Sequence, residues 1–129
     1  MKLHLLCALA LSFAVTACGE RAVEPVNCAP VGTTHGVGLA IQDGRSGARY
    51  PFYDMVAVAT DGAFADTLTI PEIKTVGLFT LAKDRPGTYN VTVQVRGYAQ
   101  WTQNGVVVSH KECNEVIPDT IAVDLTPVP

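Results

Sequence analysis

The sequence predicts an all-β domain, an antiparallel β-sandwich of about seven strands with Greek-key connections. Short segments alternate apolar and polar side chains with a period of two, as strands that bury one face do. Clusters of Gly, Pro, Asp and Asn separate these segments and indicate turns. No segment after residue 17 shows the apolar stripe of an amphipathic helix. The spacing does not define the order in which the strands pair.

The first strand is expected from about His35, where apolar and small polar side chains alternate. Its apolar face consists of Val37, Leu39 and Ile41. Residues 43–47, Asp-Gly-Arg-Ser-Gly, then predict a turn. A second, mostly apolar strand is expected over residues 55–60, and Asp61 and Gly62 end it.

The third and fourth strands are expected on either side of a proline. Phe64, Leu68 and Ile70 supply one face of the third strand. Pro71 is expected to interrupt that strand, because proline lacks the N–H that a ladder of strand hydrogen bonds requires. Residues 76–81 predict the fourth strand.

The clearest strand follows a Pro-Gly turn at residues 83–87. Its inward side chains are expected to be Tyr89, Val91, Val93 and Val95, and its outward ones Asn90, Thr92, Gln94 and Arg96. Residues 100–109 are expected to be extended. Asn104 and Gly105 form a dipeptide typical of hairpin turns, which can divide this segment into two strands. The last strand, residues 120–125, has Ile121, Val123 and Leu125 on one face.

The N-terminal residues have the pattern of an export signal. Lys2 supplies positive charge, and residues 5–15 form an apolar run too short to span a bilayer. Residues 15–18, Val-Thr-Ala-Cys, resemble the bacterial lipobox, whose cysteine is lipidated before cleavage. The resemblance implies cleavage after Ala17 and a palmitate-bearing lipoprotein anchored through Cys18, because several acyl chains together hold a protein on a membrane. An ordinary secretory signal with a chance cysteine is the alternative.

The expected organisation is a signal peptide at residues 1–17, the lipidated cysteine and a flexible tether at 18–34, and one β domain at 35–129. Loss of 17 of the 129 residues leaves 112, enough for a single hydrophobic core. Gly19 follows the cysteine, where Asp retains enterobacterial lipoproteins at the inner membrane. By that resemblance we expect a lipid-anchored protein of the bacterial cell envelope, with the outer membrane favoured.

The excess of acidic over basic side chains argues against nucleic acid as a partner. Lys2 is the only Lys or Arg in the expected signal, so 8 of the 9 cations and all 12 acids remain after cleavage. The remaining cations are spread singly and form no basic stripe. The partners that we expect are the membrane, through the N-terminal lipid, and an envelope protein or glycan.

The four cysteines are expected to have three separate fates. Cys7 is lost with the signal and Cys18 receives lipid, which leaves Cys28 and Cys113 as a pair in an oxidising compartment. We therefore predict a disulfide between them, which would stabilise the fold by up to about 4 to 5 kcal/mol in the chain-entropy model. Two free thiols are one alternative, and a metal site that includes His110 is another. No further ligand pair accompanies that histidine, so no metal is expected.

Three turn and strand motifs resemble those of a known family. They are residues 43–47, the dipeptide at 61–62, and above all Arg-Pro-Gly-Thr-Tyr-Asn-Val-Thr-Val at 85–93, which runs on to Gly97 and Tyr98. Together they are similar to the carboxypeptidase regulatory-like domain, a transthyretin-like β-sandwich, over about residues 36–125. The resemblance implies that fold and an accessory module that is secreted or lipid-anchored. It implies no reaction.

No catalytic constellation is apparent in the sequence. His35 and His110 are the histidines outside the signal, and neither has a patterned nucleophile or metal ligand. Transthyretin-like hydrolases of 5-hydroxyisourate end in Tyr-Arg-Gly-Ser, whereas residues 125–129 are Leu-Thr-Pro-Val-Pro. Asp61 and Asp66 do not have the spacing of a calcium-binding loop. We therefore expect no catalytic residue, no metal and no cofactor.

Two functions remain as expectations. The first is a non-enzymatic structural or interaction module tethered to the envelope. The alternative is a glycan- or peptide-binding domain that uses Tyr98 and Trp101, because an exposed indole beside a tyrosine can stack on a sugar ring or a Pro-rich peptide. A tryptophan that packs into the core would weaken the alternative, so the exposure of Trp101 separates the two functions.

Overall fold

The computed structural model describes residues 27–29 and 32–129. The predicted signal peptide, Cys18 and most of the predicted tether lie outside the described residues. In the described part the chain forms β1 (Val37–Asp43), β2 (Phe52–Asp61), β3 (Phe64–Ile73), β4 (Phe79–Leu81), β5 (Gly87–Gln94), β6 (Trp101–His110), a 3-10 helix (Glu112–Asn114), β7 (Val116–Ile117) and β8 (Asp119–Leu125).

The strands form two sheets, so the prediction of an all-β fold is confirmed. One sheet has the order β4-β1-β8, and the other, an antiparallel sheet, has the order β3-β2-β5-β6-β7. The prediction of purely antiparallel pairing is wrong in one place, since β1 and β8 run parallel, with Val37 opposite Asp119 and Asp43 opposite Leu125. Alternation along a strand shows which side chains are buried, but not the direction of the neighbouring strand.

The core lies between the two sheets and consists of the residues that the period-two pattern selects. The predicted inward residues of β1, of β8, and of β5 with the residue that follows it are all buried. They are Val37, Leu39, Ile41, Tyr89, Val91, Val93, Val95, Ile121, Val123 and Leu125. Residues of β2 and β6 complete the core, among them Met55, Ala57, Val106 and Val108. Each buried valine or leucine stabilises the fold by about 1.5 to 3 kcal/mol relative to an exposed one.

Pro71 does not interrupt the third strand as predicted, because β3 continues through it to Ile73. β3 is an edge strand of its sheet, and an edge tolerates a proline whose missing N–H can face solvent. The pairing with β2 is nevertheless irregular at this point. Asp54, which lies opposite Pro71, has a φ of 51° and belongs to no register pair.

Two further predictions about strands are corrected. Val76 and Leu78 are exposed and precede β4, which has only three residues. Asn104 and Gly105 do not form a hairpin, because β6 runs through them with a one-residue shift of its register on β5. Gly105 has a φ of 71°, the left-handed conformation that a glycine-containing bulge requires.

The Pro-Gly turn before β5 is held by the tyrosine that follows it. The Tyr89 hydroxyl donates a hydrogen bond of 2.8 Å to the carbonyl oxygen of Arg85, the arrangement of a tyrosine corner. The Arg85 guanidinium lies 4.1 Å from the centre of the Phe64 ring and 3.7 Å from an oxygen of Asp61. A side chain at Gly87 would collide with that Asp61 oxygen and with the Tyr89 ring. The Arg-Pro-Gly-Thr-Tyr motif therefore has an architectural role.

Removal of the Tyr89 hydroxyl tests this role. We expect Tyr89→Phe to lower the free energy of unfolding by about 1 to 3 kcal/mol, because the partly buried hydrogen bond to the carbonyl of Arg85 loses its donor. Urea denaturation of the purified protein measures the change. Thr88→Ala, at an exposed neighbouring position, is the control and should remain within about 0.5 kcal/mol of the wild type. Equal effects of the two substitutions would contradict the assignment.

Candidate interaction surface at the distal end

The domain has two opposite ends, which β6 connects. Cys28 and Cys113 lie at disulfide distance at one of them, with their Cα atoms 5.4 Å apart. We call this end, with the segment between β6 and β7, the tether end. β6 begins near Tyr98 and has 10 residues, so its length of about 33 Å separates the tether end from the other end, which we call the distal end.

The distal end is organised around the carboxylate of Asp43, the last residue of β1. The Asp43 carboxylate accepts hydrogen bonds from the backbone N–H groups of Arg45 and Ser46, at 2.8 and 2.7 Å, and from the Tyr98 hydroxyl at 2.8 Å. Asp43 is only 8% exposed. The hydrogen bonds from Ser46 and Tyr98 lower the pKa of Asp43 to about 2, because they stabilise its charged form. This contact joins the β1–β2 loop to the β5–β6 corner.

Tyr98 and Trp101, the predicted ligand-binding residues, both lie at this end and are half-buried. The Tyr98 hydroxyl is bonded to Asp43, and its ring packs edge-on against Phe52 with 5.5 Å between centroids. Burial, and then the neighbouring carboxylate, raise the pKa of Tyr98. Trp101 lies opposite Val93 and packs against the core. The two rings therefore already have structural contacts within the domain.

The exposed aromatic residues of the described part are Tyr50 and Tyr53, which are 52% and 40% exposed. Tyr50 ends the β1–β2 loop and Tyr53 lies at the start of β2. Within this loop the sequence predicted only a turn, at residues 43–47. The available signal was the segment Arg-Ser-Gly-Ala-Arg-Tyr at residues 45–50, which puts two arginines and a tyrosine into one solvent-facing connection.

The arginines of the described part divide into two groups. Arg85 and Arg96 each pair with an aspartate and lie over an aromatic ring; Arg96 is 3.1 Å from Asp54 and 5.4 Å from the centre of Tyr53. Arg45 and Arg49 are exposed and form no ion pair with any residue that the structure describes. Both lie in the β1–β2 loop, where Arg45 lines a groove with residues 124–127, and Arg49 precedes Tyr50 and lines a second groove with Gln42 and Ala122. Their guanidinium groups are thus free to bind an external partner.

An open groove of about 300 Å³ runs beside this loop. Gly44 and Arg45 line one side of it, and residues 124–127 line the other. A ligand in this groove could contact the Arg45 guanidinium, the Asp124 carboxylate and the backbone at the end of β8. Guanidinium groups recognise carboxylates and phosphates through paired hydrogen bonds, and phenol rings can contact sugar or aromatic surfaces. The distal end therefore has the chemistry of a polar recognition surface.

The two histidines of the domain lie away from this surface. His35 precedes β1 and His110 ends β6, both at the tether end, where the His110 Nδ1 lies 3.3 Å from the backbone oxygen of Lys111. Among residues 27–29 and 32–129, no three His, Cys, Asp or Glu side chains converge on a metal-sized space. Within the same residues, no helix is long and apolar enough to cross a bilayer.

Similarity to known proteins adds no family assignment. No protein-family model matches the chain, and no curated protein is significantly similar to it. The fold and the surface thus define an all-β, two-sheet domain whose cysteine pair lies at one end and whose free arginines and exposed tyrosines lie at the other.

The role of Asp43 predicts a pH-dependent effect of Asp43→Asn. Because the pKa of Asp43 is about 2 in the fold against 3.8 ordinarily, its ionised form stabilises the fold above about pH 4, and this stabilisation is lost as the pH falls through 2. We therefore expect Asp43→Asn to lower the melting temperature most above about pH 5, and the difference from the wild type to shrink toward pH 2.

Thermal unfolding followed by circular dichroism at a series of pH values measures this difference. Glu112→Gln, at an exposed position of the tether end, is the matched control and should follow the wild type throughout. A loss of stability in Asp43→Asn that is the same at every pH would show that the carboxylate charge is not what holds the loop.

Proposed function

We propose that this protein is a non-enzymatic lipoprotein of the bacterial cell envelope whose β domain acts as an interaction module. The lipobox-like residues 15–18 support the anchor, and Gly19 favours the outer membrane. The tyrosine corner and the Pro-Gly turn support the finer assignment to a Greek-key, transthyretin-like sandwich of the carboxypeptidase regulatory-like type.

The observation that carries the proposal is the separation of the two ends. Nine residues lie between Cys18 and Cys28, and the ten Cα–Cα steps that connect the two cysteines span at most about 36 Å. A bridge from Cys28 to Cys113 would hold the tether end within that distance of the bilayer. The distal end, with Arg45, Arg49 and Tyr50, would then extend a further strand length, about 33 Å, into the envelope.

Incorporation of labelled palmitate tests the anchor. We expect the wild-type chain to incorporate the label in a bacterial host and to fractionate with membranes, and Cys18→Ser to do neither. Cys7→Ser, which changes the other cysteine of the N-terminal segment, is the control and should behave as the wild type. An unlabelled wild type would contradict the proposed anchoring.

Affinity capture from native envelope fractions tests the role of the distal end. We expect the combined variant Arg45→Ala, Arg49→Ala, Tyr50→Ala to lose at least about tenfold in partner recovery, because each removed guanidinium or ring costs on the order of 1 kcal/mol of binding. A tether-end variant, Lys83→Ala with Lys111→Ala, removes two cations elsewhere and should retain the partner. Recovery that falls only in the tether-end variant would refute the assignment.

The same capture experiment distinguishes the interaction module from the alternative function, a glycan- or peptide-binding domain. The exposed rings of Tyr50 and Tyr53 favour this function at the distal end, next to the originally predicted Tyr98 and Trp101. Release of the bound domain by digestion of the envelope glycan would identify a glycan ligand, whereas release by protease alone would identify a protein.

A further inference from the structure

Between its two ends, the outward face of the five-stranded sheet carries no ionisable side chain; at the distal end, Tyr53 and Glu72 lie opposite each other on β2 and β3. Residues whose alternate neighbours are buried in the core point outward and form this face, which we call the neutral face. Its members are Val56, Val58, Thr60, Ala65, Thr67, Thr69, Thr88, Asn90, Thr92, Gln94, Thr102, Val107, Ser109 and Ile117. All are exposed or half-exposed, and Val107 reaches 59% exposure.

The strand register arranges the centre of the neutral face in rows. Thr67 lies opposite Val58, Val58 opposite Thr92, and Thr92 opposite Thr102. In the adjacent row, Val56 lies between Thr69 and Gln94. Valine and threonine have short branched side chains of similar size, so the face has few projections. A second sheet can therefore approach it closely, as sheets do when they pack about 10 Å apart.

Charged residues lie at the two ends of the neutral face. Asp61 ends β2 at the tether end and pairs with Arg85, whereas at the distal end Asp54 pairs with Arg96 and Glu72 lies opposite Tyr53. Depletion of charge at the centre, with a polar rim around it, is the compositional signature of protein–protein interfaces. The chain is 16% charged, and so a face of this size without one charge is unusual for surface that stays in water.

We propose that the neutral face is the surface on which two copies of this chain associate. A neutral face that packs against its own copy opposes no like charges and leaves no charge desolvated. Threonine hydroxyls and the side-chain amides of Asn90 and Gln94 both donate and accept hydrogen bonds, so each can pair with the same kind of group in the other copy. A two-fold axis satisfies this self-complementarity.

The size of the face sets the expected strength of the association. The 14 positions, at about 4.8 Å between strands and about 6.8 Å between rows, give an area of about 450 Å² per copy. Two copies would bury about 900 Å², close to the limit of about 1,000 Å² that a specific complex usually exceeds. We therefore infer a weak dimer that forms mainly where copies are concentrated. Confinement to a membrane supplies that concentration, and this step alone depends on the proposed lipid anchor.

Cross-linking of the full chain in its native membrane tests the proposal. Thr92→Cys puts a thiol at the centre of the neutral face, and Ala122→Cys puts one on exposed outward surface of β8 in the other sheet. After mild oxidation, non-reducing electrophoresis should show at least about tenfold more dimer for Thr92→Cys than for Ala122→Cys. Adding Val58→Arg or Thr67→Arg to Thr92→Cys should remove most of that dimer, because each buries an unpaired charge between the copies.

Each outcome has a defined meaning. Equal dimer from Thr92→Cys and Ala122→Cys, or none from either, would overturn the proposal, and so would a cross-link from Thr92→Cys to a different protein. The wild-type chain is a separate control for the anchor, because with Cys28 and Cys113 bridged a dimer in its lane would require a free thiol at Cys7 or Cys18. In Cys18→Ser, cross-linking through Thr92→Cys should persist but depend on protein concentration, so failure of the anchor and failure of the face are distinguishable.

Discussion

The parallel pairing of β1 with β8 is the contact on which the rest of the structure depends. It joins the first and last strands of the domain over seven register pairs, whereas β4 adds only three pairs on the other side. Without it, the inner face of the five-stranded sheet would have no partner sheet to bury it. The pairing also brings the end of β1 beside the end of β8, where Gly44 donates a backbone hydrogen bond to Leu125. The β1–β2 loop is thereby fixed at the distal end.

Much of this fold could be predicted from alternation alone, because burial of one strand face imposes a period of two. The inward residues of β5, which are Tyr89, Val91 and Val93, are the clearest case. Local features that depend on which strand lies alongside could not be predicted from the sequence. Pro71 is tolerated because β3 is an edge strand, Gly105 forms a bulge because β5 continues beside it, and β7 has only two residues, too few to carry a pattern.

The candidate surface shows the same division between local and non-local information. The sequence predicted Tyr98 and Trp101 as ligand-binding residues because an exposed indole beside a tyrosine can stack on a ligand, and both residues lie at the distal end. It could not determine that the Tyr98 hydroxyl is bonded to Asp43, 55 residues away, or that Trp101 packs against the core. Arg45, Arg49 and Tyr50 are exposed because the Asp43 carboxylate holds the start of their loop against the domain. Their role depends on which end the chain attaches to the membrane.

The orientation of the domain, with the tether end at the membrane and the distal end away from it, is tested most directly by measuring the distance of each end from the bilayer. Spin labels attached at Lys111→Cys and at Arg49→Cys, in the lipidated protein reconstituted with a nickel-chelating lipid, report how near each position lies to the membrane surface. We expect strong paramagnetic relaxation at position 111 and little at position 49, since about 33 Å of strand separates the two ends. Equal relaxation at the two positions, or stronger relaxation at position 49, would contradict this orientation.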